Sequence, residues 1–256
     1  MKQLNTVILS FDVDGQRVFD FLDHLEKDFF LEEGLPRAVE FLKSYNLDAT
    51  FFTVGKNIIE FPDVHKELKD FEIGNHTYSH PYFLTRKTLE EKKYEIEKTH
   101  SIIKDFYGVT PNMFRAPDYQ IDSELVNILK DLGYKGDSSM IKVLIPPGYL
   151  INCIKQRSLL RDEFEFPLTS FIIPFNGTSV IFSGLGIAKL IFDCLLKFNK
   201  VININFHARD FVNMKIDKPG FWKREKALET TLEFLEHMNK RANIMSFRQF
   251  FDSSRA

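Results

Sequence analysis

Short apolar runs alternate with amphipathic helical patterns along this sequence, and the alternation constrains the fold more than any other feature. The runs are rich in Val, Ile and Phe, and several are continuously apolar, which is typical of strands covered on both faces. Helical patterns separate them, as at Pro36–Tyr45 and Asp122–Leu132. A repeated strand–helix order predicts an α/β protein with a parallel sheet, either open or closed into a barrel. The predicted strands are Val7–Phe11, Ala49–Val54, Ile73–His76, Met113–Arg115, Tyr134–Asp137, Val180–Phe182, Val201–Phe206 and Asn243–Met245.

The chain is 256 residues long and shows no internal repeat, low-complexity segment or Gly/Ser linker. This length suits one α/β barrel, so a single catalytic domain is predicted over residues 1–256. Basic and acidic residues nearly balance, 34 against 36, and no basic stripe is present. Because a duplex-binding protein usually carries a basic excess, nucleic acid is not expected as a partner.

Cys153 and Cys194 lie far apart in apolar surroundings and are the two cysteines of the chain. Two such residues cannot build a disulfide framework or a four-cysteine zinc site, and their use fits a reducing compartment. Too few residues precede the first apolar run for a cleaved signal peptide. These features predict a cytoplasmic protein.

An uncharged stretch runs from Phe171 to Ala188. Pro174 and several glycines interrupt it, which makes it a poor membrane-spanning helix. We expect this stretch to line or border a substrate cleft. A helix predicted over Gly186–Phe198 follows, and its polar residues recur at every fourth position, so we expect it to pack on a core with one wet edge. Those polar residues are Lys189, Asp193 and Lys197.

Two carboxylates end the first predicted strand, where the sequence reads Asp12-Val13-Asp14-Gly15. Residues two apart in a strand point to the same face, so the carboxylates of Asp12 and Asp14 converge. Like charges this close repel unless a cation or a proton lies between them. The pair is therefore either a chemical site or a polar strand end whose acids cap the next turn.

His76 and His80 follow the third predicted strand, and Pro81 comes directly after them. Two imidazoles at this spacing can hold one metal ion. Together with Asp14 they offer two histidines and one carboxylate, which leaves open positions for substrate as catalytic metal sites require. The structural alternative is a pair of polar loop histidines.

Arg115 ends the fourth predicted strand, and His207 ends the apolar run Val201–Phe206. A guanidinium at a strand end can hold a carboxylate bidentately, and a histidine there can donate a proton to a leaving group. A surface salt bridge for Arg115 and a satisfied core position for His207 are the alternatives. Sites of parallel α/β folds form at the carboxyl ends of strands, which is where both residues are predicted.

In this order the clusters resemble the motifs of the polysaccharide deacetylase family, also called carbohydrate esterase family 4 or the nodulation-protein deacetylase homology domain. The acidic pair with Gly15 resembles the first motif, and the run from His76 to His80 matches the second, His-Ser/Thr-x-x-His. Phe206-His207 matches the fifth, an apolar strand ending in His. The resemblance covers roughly residues 6–211.

The third motif of that family, Arg-x-Pro-aromatic, is similar to Arg115-Ala116-Pro117. Asp118 holds the place of the aromatic residue, and Tyr119 comes one position later. The resemblance implies that Pro117 and Tyr119 contact the substrate. It places a backbone N–H near Tyr119 that stabilises an oxyanion.

The resemblance also implies a fold and a reaction. The fold is a distorted (β/α) barrel with about seven parallel strands. The reaction is hydrolysis that removes an N-acyl group, acetyl or formyl, from an amino sugar. The cofactor is a divalent metal, expected to be zinc, held by Asp14, His76 and His80.

The catalytic roles follow from the same resemblance. Asp12 is expected to be the general base, and Arg115 to orient it. His207 is expected to protonate the departing amine, which is otherwise a poor leaving group. Asp137 is assigned to keep His207 protonated, with Asp210 as the alternative.

The fourth motif, Asp-x-Trp, is not matched, because no Trp lies near Asp137. The segments Gly136–Ser139 and Glu165–Thr169 instead resemble a divergent branch that acts on carrier-linked sugars or exopolysaccharides. One related enzyme deformylates an aminoarabinose linked to polyprenyl phosphate. This resemblance implies a carrier- or lipid-linked amino sugar, with peripheral membrane contact if the carrier is a lipid.

Two other functions stay open at this point. One is hydrolysis of a small cyclic amide or ureide on the same fold. The other is metal or sugar binding without catalysis, although the base, the three ligands and the acid are all present. The sequence leaves the oligomeric state undetermined.

Overall fold

A computed structural model of the chain describes residues 5–16, 27–141, 163–214 and 224–254. It divides into two compact units, Met1–Thr50 with Phe175–Ala256, and Phe51–Pro174. We call them the first and the second unit. The expected single domain over the whole chain stays a prediction.

Seven strands and nine α-helices lie in the described part of the chain. In chain order they are β1 (Thr6–Val13), α1 (Leu35–Ser44), β2 (Thr50–Thr53), α2 (Gly55–Glu60), α3 (Pro62–Lys66), β3 (Glu72–Asn75), α4 (Leu89–Tyr107), β4 (Met113–Phe114), α5 (Ser123–Asp131), β5 (Gly136–Asp137), α6 (Gly177–Ser183), α7 (Leu185–Phe198), β6 (Val201–His207), α8 (Ala227–Asn239), β7 (Asn243–Met245) and α9 (Phe247–Ser253).

The first unit is built around strand β1, which pairs in parallel with β6 and with β7. Seven of the eight residues of β1 are buried, as expected for a strand covered on both faces. Helices α6, α7 and α8 pack on one another, and α6 also packs on β6. Gly177 opens α6 close to β6, where a Cβ would collide with the Asp210 carboxylate and the Phe206 ring, so only glycine fits there.

The second unit contains strands β3, β4 and β5, which pair in parallel in that order. β2 runs beside β3, since the His76 N–H donates to the Thr53 carbonyl. Helix α4 packs against β3, α2 and α5. A capping box of Thr88 and Glu91 begins this helix, and Gly108 ends it in the left-handed conformation, as these residue types do at helix ends.

One predicted strand is wrong. Val180–Phe182 lies inside helix α6, and the reason is local. The Asn176 side chain accepts from the Ser179 N–H while the Ser179 hydroxyl bonds back to the Asn176 N–H, and this reciprocal cap starts a helix. Three apolar residues in a row cannot by themselves distinguish a strand from a helix turn.

The uncharged stretch Phe171–Ala188 contains both buried and exposed apolar side chains. Phe175 is almost completely buried, whereas Ile172 and Phe182 are largely exposed. Among the described residues, no helix is both long enough and apolar enough to cross a membrane. The expectation that this stretch borders a substrate cleft stays a prediction.

Candidate active-site residues

Asp12 and His207 lie side by side in the first unit because the register of β1 and β6 pairs them. The His207 Nε2 atom is 3.5 Å from the Asp12 Oδ2 atom and 3.9 Å from the Asp14 Oδ2 atom. All three side chains are buried. A potential base, a potential acid and a second carboxylate therefore converge at the carboxyl ends of two parallel strands.

Two neighbours that sequence reasoning did not single out hold these carboxylates. The Asn205 amide donates to Asp12 Oδ2 at 3.0 Å, and the Arg209 guanidinium donates to Asp14 Oδ2 at 3.1 Å. Asn205 lies two residues before His207 on β6, so its side chain points to the same face. That spacing of two was the available signal for Asn205. Arg209 lies in the turn after β6 and had no such signal.

Asp210 lies directly behind His207. Its Oδ2 atom accepts from the His207 backbone N–H at 2.9 Å and is 3.7 Å from the ring atom Nδ1. Its Oδ1 atom pairs with Arg224 at 2.5 Å, and Arg224 also donates to the Thr178 hydroxyl at 3.0 Å. Burial alone would raise the pKa of Asp210, but the charge of Arg224 and the bond to His207 hold that pKa well below its usual range.

His76 and His80 lie in the loop after β3 in the second unit. Their ring centroids are 5.1 Å apart, and the rings meet edge to face. Thr77 and His80 both have a positive φ, so the backbone turns sharply twice between the two imidazoles. The two imidazoles are thus in contact within this unit, while their part in a metal site stays a prediction.

Two side chains outside the motif hold that loop. The Asn75 side chain accepts from the Thr77 N–H, and Glu95 of α4 accepts from the N–H groups of Tyr78 and Ser79 and from the Ser79 hydroxyl. These hydrogen bonds offset the unfavourable backbone angles of the loop. Glu95 could not be found from spacing, because it lies on a helix 15 residues beyond His80.

The protonation of His76 follows from its contact. Its Nδ1 atom is 2.6 Å from the Arg115 carbonyl oxygen, which can only accept a hydrogen bond. Nδ1 therefore carries the proton, and in the neutral ring Nε2 carries the lone pair. This is the tautomer that a metal-ligating histidine adopts when a backbone carbonyl orients it.

Arg115 is fully buried, which excludes the surface salt bridge considered as its alternative. Its Nε and Nη2 atoms donate to the carbonyl and the hydroxyl of Ser138, each at 2.9 Å. The guanidinium also stacks over the Phe52 ring at 4.2 Å. The segment after β5 thus fixes the orientation of Arg115.

Asp137 and Glu165 form a pair of carboxyl groups in the second unit. The Ser139 hydroxyl donates to Asp137 at 2.5 Å, and the Met140 N–H donates to Glu165 at 3.0 Å. Burial, the charge of Asp137 and a hydrogen bond between the two groups raise the pKa of Glu165 well above its ordinary value of 4.5. These effects favour the protonated form of Glu165, whose carboxyl proton is donated in a hydrogen bond to Asp137. The assignment of Asp137 to His207 stays a prediction.

The raised pKa of Glu165 has a consequence for stability. The folded chain keeps this proton above pH 4.5, where the unfolded chain releases it. The stabilising contribution of Glu165 is therefore fully present below pH 4.5. As the pH rises toward the folded pKa, the free energy of unfolding falls by about 1.4 kcal/mol per pH unit.

We expect Glu165→Gln, which keeps a donor but cannot ionise, to flatten this fall of the unfolding free energy, measured by urea unfolding from pH 5 to pH 8. Glu163→Gln, at an exposed acid two residues away, is the control. Identical pH profiles for wild type and Glu165→Gln would contradict the shared proton.

Pro117 and Tyr119, the predicted substrate contacts, lie in a short 3₁₀ turn after β4. Pro117 is buried and Tyr119 is partly exposed. Asp118 and Tyr119 both have a positive φ, an unusual conformation for residues other than glycine. Their contact with substrate stays a prediction.

Comparison with known proteins agrees with these motifs. The sequence profile of the family described as "Polysaccharide deacetylase" matches residues 3–136, just over half of the chain. Peptidoglycan deacetylase of Helicobacter pylori is 32% identical over 136 residues, which cover 51% of this chain and 45% of that protein. Chitin deacetylase 1 of Cryptococcus neoformans is 37% identical over 100 residues, which cover 38% and 21%. The matched parts thus span less than half the length of either relative.

Solved structures extend the likeness to the rest of the chain. A protein of Mycobacterium smegmatis assigned to the polysaccharide deacetylases superimposes with a TM-score of 0.72 at 15% identity, over 100% of this chain and 92% of that protein. This likeness confirms the predicted fold class, a (β/α) barrel built on parallel strands. The chain belongs to the polysaccharide deacetylase family.

Proposed function

We propose that this protein is a metal-dependent hydrolase that removes an N-acyl group, acetyl or formyl, from an amino sugar. The observation that carries the proposal is the register of β1 and β6, which sets Asp12 beside His207. Amide hydrolysis needs one group that takes a proton from water and another that gives a proton to the amine. A buried carboxylate next to a buried imidazole supplies this combination.

Asp14, His76 and His80 are proposed to hold the metal, with zinc expected. The donor set fits, because one carboxylate and two imidazoles leave positions open for water and substrate. The His76 contact with the Arg115 carbonyl supports the assignment, since it leaves the Nε2 lone pair for a ligand bond. A bound divalent metal would lower the pKa of a coordinated water and polarise the acyl oxygen.

The two proton transfers of the reaction are proposed to be carried out by two different side chains, Asp12 and His207. Asp12, held by the Asn205 amide, accepts the proton of the attacking water. His207 donates a proton to the nitrogen of the departing amine. Arg115 is proposed to orient Asp12, and the Ser138 bonds that fix its guanidinium support this role.

Asp210 is proposed to keep His207 protonated. Its carboxylate lies 3.7 Å from the Nδ1 atom, and the low pKa of Asp210 keeps it charged. A fixed negative charge favours the imidazolium form. From the sequence, this role is assigned first to Asp137. The contacts of Asp137 with Ser139 and Glu165 instead suit a structural role in the segment that holds Arg115.

The substrate is proposed to be a carrier- or lipid-linked amino sugar that is hydrolysed in the cytoplasm. The named relatives act on peptidoglycan and chitin, which are polymers of N-acetylated sugars. The segments around Asp137 and Glu165 resemble the branch that acts on carrier-linked sugars. The packing of Ser139 and Met140 against these two acids supports a common structural role for both segments.

The test is a panel of N-acetyl and N-formyl amino sugars in free, nucleotide-linked and lipid-linked form, incubated with the zinc-loaded protein. Release of acetate or formate from a sugar in the panel is the expected result. Release of product from a cyclic amide or ureide alone would favour the alternative enzyme. No turnover of any compound, with one metal bound per chain, would favour a non-catalytic relative.

A further inference from the structure

Helix α7 (Leu185–Phe198) has one row of side chains that faces the core. Ala188, Phe192 and Leu195 are buried, and the Phe192 ring packs edge to face on Phe234 of α8 at 5.7 Å between centroids. Three apolar residues spaced by four and three are sufficient to anchor a helix of this length. Only this side of α7 is therefore packed against the core.

A second apolar row on the same helix faces outward. Ile187, Leu190 and Phe198 are 56%, 71% and 81% exposed, and Ile191 and Cys194 are half-buried. These five residues, which we call the outer stripe, have the spacing i, i+3, i+4, i+7 and i+11 of one helix face. The sequence predicted a helix with a single wet edge of Lys189, Asp193 and Lys197. The structure exposes apolar side chains as well.

The segment that carries the outer stripe has more basic than acidic residues. Three lysines and one acid lie between Phe171 and Lys200, whereas the whole chain has a net charge of −2. Lys197 and Lys200 are exposed. The one acid, Asp193, already pairs with His237 at 2.9 Å and with Arg241 at 3.3 Å. The outer stripe is thus flanked by lysine charges that no acid within this segment balances.

We propose that the outer stripe docks on the surface of an anionic lipid bilayer. An apolar row flanked by lysines is the pattern of a helix that lies in the plane of a membrane interface. A second copy of this chain fits less well, because a stable dimer buries about 800 Å² on each partner and one short row of side chains offers less. The proposal agrees with a lipid-linked substrate but rests only on the exposed side chains of α7, so the vesicle experiments test it separately from the reaction.

The first experiment is flotation of the full chain with phosphatidylcholine vesicles, with and without phosphatidylglycerol. We expect the protein to float with the vesicles that contain phosphatidylglycerol, and to bind them less as the salt concentration rises, because salt screens the lysine charges. Absence of the wild-type protein from the floating fraction of these vesicles would overturn the proposal.

The second experiment uses matched variants. Ile187→Glu with Leu190→Glu should weaken vesicle binding by about tenfold or more, since it removes inserted apolar area and adds repelling charge. Ile59→Glu is the control, because Ile59 is also 56% exposed but lies on α2 of the second unit. Both variants should keep the wild-type melting temperature, because all the side chains replaced are largely exposed. Equal loss of binding in the control and the double variant would overturn the proposal.

Sedimentation equilibrium of the same proteins distinguishes the other occupant. A monomeric wild-type chain supports the membrane proposal. A dimer that Ile187→Glu with Leu190→Glu converts to a monomer would overturn it, because the outer stripe would then be the dimer interface. Lys197→Glu adds a charge test, since it should weaken binding to phosphatidylglycerol vesicles and leave the melting temperature unchanged.

Discussion

Asp12→Asn should lower turnover by about 10²–10⁴-fold while the purified protein keeps its metal. Asparagine has the shape of aspartate, and its amide oxygen can still accept the Asn205 hydrogen bond that now reaches Asp12. It cannot, however, take a proton from water. The measurements are the release rate of acetate or formate and the metal content by elemental analysis.

Asp193→Asn is the matched control for that variant. Asp193 belongs to the same unit but contacts His237 and Arg241 rather than His207, so its replacement should leave turnover near the wild-type value. Loss of metal together with activity in Asp12→Asn would show that Asp12 is a ligand. The proposed division between Asp12 and Asp14 would then be reversed.

The double change His76→Ala with His80→Ala should reduce the metal content from about one ion per chain to nearly none, and abolish turnover. Two of the three proposed ligands are then gone, and a single carboxylate does not hold a divalent ion tightly. Elemental analysis after dialysis measures the effect directly. It does not depend on knowing the substrate.

His237→Ala is the control for the double variant, because His237 contacts Asp193 outside the proposed site. That variant should retain its metal. Full metal content in the double variant would place the metal elsewhere, and Asp14 would then lose its proposed partners. A partial loss in each single histidine variant would agree with ligation by both.

The order of elements and the position of most motif residues could be predicted from sequence, because both depend on local pattern. Buried parallel strands read as continuous apolar runs, and β1 shows this over nearly its whole length. Helix α4 lies between its cap residues Thr88 and Gly108 because those residues satisfy the helix ends locally. Asp12 and His207 each follow an apolar run, so their place at a strand end could be read without knowing the partner strand.

Which side chains contact those residues could not be decided from the sequence. The choice between Asp137 and Asp210 beside His207 depends on how the turn after β6 folds back, and Asp210 also needs Arg224, 14 residues later. The proton shared by Asp137 and Glu165 depends on a close approach between segments nearly 30 residues apart. Neither contact has a periodic signal in the sequence.

The sequence by itself determined the fold class, the acidic pair, the paired histidines and the strand that delivers His207, since each rests on spacing along one segment. Only the tertiary structure decided that Val180–Phe182 is helical, that Asn205 and Asp210 contact Asp12 and His207, and which apolar row of α7 faces outward. The physical reason is that hydropathy records how apolar a face is, whereas burial depends on what packs against it. Helix α7 has two apolar rows, of which one is buried against the core and the other is exposed.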